Sequence, residues 1–139
     1  MERTIITISE SGRVNIPSGN VWMSEMELME LFGVIVPTLR AAIKAIYKSG
    51  ALSAITTLRC DLATPTSWTT FYNIEVVIAL AFRLNTYESC RIRQKVLEGI
   101  SHPQKAGINL FLMLKNVKTS IITILNKIIS NRIAIIIIK

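Results

Sequence analysis

Arg40, Lys44 and Lys48 recur every fourth residue, so with Thr38 and Ala41 they share one side of any helix that carries them. Cations at that spacing can neutralise phosphates along a polyanion, and an arginine fork can contact guanine bidentately. The blander alternative is a solvated charged face on a surface helix. Little else in the chain suggests chemistry. His102 is the only histidine and stands in "SHPQ", without a carboxylate, Ser or Cys partner close in sequence. Cys60 and Cys90 form no CxxC or Cys/His cluster, which excludes the usual zinc spacings. Glu75 and Glu88 have no evident partner that would raise a pKa. Trp22, Trp68 and Tyr72 are expected in the core. The sequence thus predicts no enzyme, cofactor, metal site or small-molecule substrate.

The elements that must carry the basic face can be read in order. "TIITISESGRVNIP" reads as a short hairpin, with β-branched residues and a turn at Ser11-Gly12. Ser24 precedes Glu27 by three residues, the spacing of a capping box, and Met26, Leu28, Met29, Leu31 and Phe32 then give one apolar face. Gly33 ends that helix and Pro37 suits the first turn of the next. In the second helix, 37–48, Leu39, Ala42, Ile43 and Ile46 form the buried stripe, and Gly50 closes it. Two short helices around a tight Gly turn make a helix-turn-helix. A second hairpin follows, with strands expected near 55–63 and 67–73 around "TPTS", where a wing would lie. From Glu75 to Gly99 the pattern predicts a buried helix and then a more polar one, separated at Asn85-Thr86.

Half the residues are hydrophobic and only 18% are charged, which argues against general disorder. The net charge of +7 is not spread evenly. All nine acids lie at or before Glu98, against ten Lys and Arg in the same stretch; the remaining six cations follow Gly99. The basic excess belongs to the tail, so whole-chain charge says little about the first hundred residues. Residues 105–139 hold eleven Ile, four Asn and no acid. Leu110, Leu114, Val117, Ile121, Ile124 and Ile128 step as a heptad seam, which predicts a coiled or packing helix. A basic membrane-surface helix and a non-native, out-of-frame ending remain alternatives. Lys115, Lys118, Lys127 and Arg132 interrupt any membrane span. The charged start "MERTIITISESG" is not that of a signal peptide, and two unpaired thiols suit the cytosol, so a cytoplasmic protein is expected.

Five blocks within residues 1–100 resemble the RhuM family of bacterial virulence-associated, DNA-binding proteins. They are Trp22-Met23-Ser24, then Leu31-Phe32-Gly33-Val34 with Pro37-Thr38, then Ile46-Tyr47-Lys48-Ser49-Gly50-Ala51-Leu52, then Tyr72-Asn73-Ile74-Glu75, and Phe82-Arg83-Leu84-Asn85. The chain departs from the family at Ile35-Val36, which replace a polar pair, and at Ala41-Ala42, where the family tends to be basic or His-containing. It also lacks a Trp within Cys90–Lys95, and the family's long charged C-terminal region. The resemblance implies a DNA-binding, regulatory role.

The resulting expectation is an α+β chain. A winged helix-turn-helix-like domain with an N-terminal β-hairpin spans 1–100, and a helical tail spans 101–139. Helix 37–48 would enter the major groove of double-stranded DNA. Ile35, Val36, Thr38, Arg40, Ala41 and Lys44 are the candidates for base contact, and Ser24, Lys48 and Arg59 for phosphate contact. A homodimer, or another protein held through the tail, is the expected further partner. The competing expectation is a non-catalytic interaction module whose groove helix has turned apolar at Ile35 and Val36.

Overall fold

The computed structural model describes residues 2–101. The expected tail helix and its heptad seam lie outside the described residues.

The described chain is α+β, with two small antiparallel sheets and five helices. The order is β1 (Thr7–Ile8), β2 (Val14–Asn15), β3 (Trp22–Ser24), α1 (Glu25–Phe32) and α2 (Val36–Lys48). Then come α3 (Ala54–Thr57), β4 (Leu58–Thr64), β5 (Ser67–Asn73), α4 (Ile74–Arg83) and α5 (Tyr87–Ser101). β1 and β2 form the N-terminal hairpin, whose turn needs the left-handed Gly12 at φ 77°. That turn sits on α5: Arg91 Nε donates to the Gly12 carbonyl at 2.9 Å.

The second sheet has the order β3-β5-β4. β5 is central because it pairs with β4 across the tight turn and with β3, some fifty residues earlier in the chain. Local pattern marks the hairpin but not β3, which is a strand through its pairing with the distant β5. Residues 55–57 were expected to begin the first strand of this hairpin; they belong to the helical turn α3, Ala54–Thr57, instead. Ser53 accounts for the difference, since its carbonyl accepts from the N–H groups of Thr56 and Thr57 and from both hydroxyls.

α4 is the hub. Ile74 and all residues 76–82 are buried, so the helix is apolar all round and must be covered on every side. It touches α2, α3, α5, β3 and β5. Asn73 Oδ1 caps its start by accepting from the N–H groups of Glu75 and Val76. Arg93 of α5 reaches back to its end and donates to the Ala81 and Leu84 carbonyls. Thr86 then starts α5, accepting from the Ser89 N–H, so the expected break at Asn85-Thr86 is present.

α1 begins at the expected capping box and ends at Gly33, held at φ 62°. The Glu27 carboxylate closes the cap through the Ser24 N–H at 2.7 Å and the Ser24 hydroxyl at 3.0 Å. It also accepts both arms of Arg3, at 3.0 and 2.8 Å. Arg3 lies over the Phe71 ring as well, so one carboxylate ties the N-terminal segment, β5 and α1 together.

Burial pushes the Glu27 carboxyl up, but the bonds from Arg3 and Ser24 together outweigh it and hold the group below its ordinary value. A carboxylate with a depressed folded pKa stabilises the fold above its unfolded value, about 4.5, and that contribution disappears as pH falls through the folded value. Urea melts from neutrality down to about pH 2 should therefore show wild type losing stability through the acid range. Glu27→Gln should start less stable at neutrality and fall less steeply. Parallel curves would mean that Glu27 is not a titrating group of consequence.

Candidate nucleic-acid interface

Burial splits α2 cleanly. Leu39, Ala42, Ile43 and Ile46 face the core, while Pro37, Thr38, Arg40, Ala41, Lys44 and Lys48 are exposed. At about 100° per residue, Pro37, Ala41, Lys44 and Lys48 form the centre of the outer face. Arg40 lies at its edge toward the β4–β5 hairpin, and Thr38 at the far edge.

The start of α2 differs from those of α1 and α4. Ser24 caps α1 and Asn73 caps α4, but no side chain caps α2, whose N-cap position is the exposed Ile35. Pro37 supplies no N–H at the first turn. The remaining N–H groups there and the positive end of the helix dipole thus point outward without a protein acceptor on a side chain.

The cations do not all stand free. Arg40 makes a forked ion pair with Glu25 of α1, Nε to Oε1 at 2.7 Å and Nη2 to Oε2 at 2.8 Å. That hydrogen bond is the main reason the Glu25 carboxyl is held below its ordinary value and the Arg40 guanidinium above its own. Two of Arg40's five N–H donors are thereby committed, which fixes the direction of the fork. Arg59 pairs with Asp61 on the same strand at 3.1 Å. Strand alternation puts Arg59 on the sheet face opposite Leu58 and Leu62. Lys44 and Lys48 have no carboxylate partner among the described residues. Ser24 is half-buried, with its hydroxyl and backbone N–H both used in the capping box.

A groove of about 810 Å³ separates α2 from the hairpin. Ser24, Glu25, Arg40, Lys44 and Tyr47 line one side, and Trp68, Thr70 and Tyr72 the other. The fold therefore brings Ser24, Arg40 and Lys44 to one place, and leaves Lys48 further along the same helix and Arg59 on another face. Glu25, Tyr47 and Trp68 belong to this groove and were not singled out for it by sequence. Glu25 was hidden because its partner lies fifteen residues away on another helix. Trp68 was expected in the core; it is 67% exposed, because its strand runs past the edge of the body. Tyr72 is buried as expected and Trp22 half-buried. Glu75 has no charged partner behind its shift, as expected; burial alone pushes its carboxyl up.

Among the described residues no group of His, Cys, Asp and Glu could hold a metal ion. Nor is any described helix long and apolar enough to cross a membrane. Acrylamide quenching should separate the two tryptophans: Trp68→Phe should remove most of the quenchable emission, and Trp22→Phe should leave it. If the Trp22 variant lost that component instead, the hairpin would be packed differently from this description. Compared with known proteins, the chain matches no family model, no curated protein and no solved structure.

Proposed function

We propose that this chain binds double-stranded DNA as a winged helix-turn-helix protein. In this reading α2 enters the major groove and β4–β5 is the wing. Its role would be transcriptional regulation in a bacterial cytoplasm, and it would be related to the RhuM proteins. The observation that carries the reading is the outer face of α2. An uncapped helix start and two lysines without a carboxylate partner among the described residues lie on one exposed surface, directly after a left-handed Gly turn and before an antiparallel hairpin. A helix of 13 residues is about 20 Å long, and it fits a major groove about 12 Å wide.

Ile35, Val36, Thr38, Arg40, Ala41 and Lys44 would meet base edges, the apolar pair through thymine methyls. Lys48 would neutralise phosphate. Glu25 acts on this surface through Arg40, as a positioning residue: it aims the fork and also places a negative charge beside the groove. Helix-turn-helix precedent adds a dimer on two half-sites about one helical turn apart. The exposed Ile35 favours one rival, a protein-interaction module with no remaining use for DNA.

Fluorescence anisotropy of the full chain on random-sequence duplex, across a salt series, tests the reading. The tail's six cations would also attract DNA, so the variant differences carry the information. Lys44→Ala or Lys48→Ala should each lower the salt slope by about 1. Arg40→Ala should weaken binding, and Glu25→Gln should strengthen it by removing a repelled carboxylate. Unchanged slopes in both lysine variants would exclude α2 from the DNA and leave the interaction module.

A further inference from the structure

The β4–β5 hairpin carries an apolar pair that nothing in the described fold uses. Three cross-strand pairs share one face of this ribbon: Leu58 with Tyr72, Cys60 with Thr70, and Leu62 with Trp68. The first closes on the core, where Tyr72 is buried. The last stands clear of it, with Leu62 56% and Trp68 67% exposed. Between Leu62 and Thr64 the register slips, so β4 has one extra residue there. A bulge of this kind sharpens the local twist and re-aims the side chains beside it.

The charges around the pair decide what it fits. Residues 62–74 contain no acid and no base, and the nearest hairpin charge, Asp61, lies on the opposite sheet face paired with Arg59, so the hairpin end adds no net charge of its own toward a phosphate. Trp68 lines the same groove as Glu25, Arg40 and Lys44; Glu25 and Arg40 pair with each other, and Lys44 supplies the net positive charge across from Trp68. An uncharged apolar point beside Lys44, which has no carboxylate partner among the described residues, complements a duplex, whose phosphates are charged and whose base steps are apolar.

Resting on the DNA-binding reading above, we propose that Leu62 and Trp68 form a wedge that enters the minor groove next to the major groove occupied by α2. The sugar-phosphate strand between the two grooves runs along the channel lined by Lys44. The wedge partly unstacks one base step and bends the duplex. It favours TA and CA steps, which unstack most easily.

The test uses the full chain and a duplex of about 30 base pairs with a fluorophore at each end. One version has a central TA step, and a second has the same composition with an A-tract there. The wild-type chain should raise energy transfer between the ends, more on the TA version. Trp68→Ala and Leu62→Gln should abolish that rise and bind about tenfold to a hundredfold more weakly. Both should keep the wild-type salt slope, because the wedge neutralises no phosphate. Trp68→Phe should retain the bend. Binding with no change in energy transfer, or a bend that survives both wedge variants, overturns the wedge and leaves the DNA-binding reading intact. No binding of the wild-type chain at low salt overturns both. A loss of salt slope in the wedge variants would show that they disturb α2, and the wedge falls with that result.

Discussion

The fold turns on the Glu27 carboxylate. Four donors converge on it, two from Arg3 and two from Ser24, so a single side chain fixes where the N-terminal segment crosses the sheet and where α1 starts. Charge-assisted bonds of this kind hold direction as well as energy. With the start of α1 fixed, eight residues later the left-handed Gly33 fixes the exit angle, and α2 leaves from there. Any β-carbon at Gly33 would stand 3.2 Å from the Glu88 carboxylate of α5, so the turn is also pressed against the far side of the body. The orientation of the outer face of α2 is inherited from these two constraints.

α4 supplies what those polar contacts cannot, a surface on which everything else condenses. A fully buried Val, Leu, Ile or Phe contributes about 1.5–3 kcal/mol, and α4 buries Ile74, Val76, Val77, Ile78, Leu80 and Phe82. The same concentration explains why the hairpin end is bare. The core ends at Tyr72, and β4 and β5 continue beyond it because ladder hydrogen bonds, rather than side-chain burial, keep them paired. The tip is the part of the sheet least held by the core.

Much of this was legible in the sequence, where the signal was local. Ser24 and Glu27, Gly33, Pro37 and Gly50 each mark a helix end by backbone chemistry that acts within a few residues, and the α2 stripe follows from its period. The hairpin turn at 65–66 and the break before α5 were readable for the same reason. Pairings across long separations were not. β3 shows itself only through β5, and Glu25 and Arg40 sit on different helices whose approach depends on the Gly33 turn. Trp68 was misplaced because the tendency of large aromatic side chains to be buried is silent on how far the core extends beneath a strand. At residues 55–57, β-branched composition favoured a strand, and the Ser53 carbonyl collected a helical turn instead.

The division of α2 into two sides has an evolutionary consequence. Thr38, Ala41, Lys44 and Lys48 are exposed and belong to no packed cluster, so they can be rewritten without altering the residues that hold the helix down. Those positions can change with almost no penalty in folding. Arg40 is the exception. Its fork is bound to Glu25, so a change at either position leaves the other charge unanswered, and the two are expected to be exchanged together or kept together.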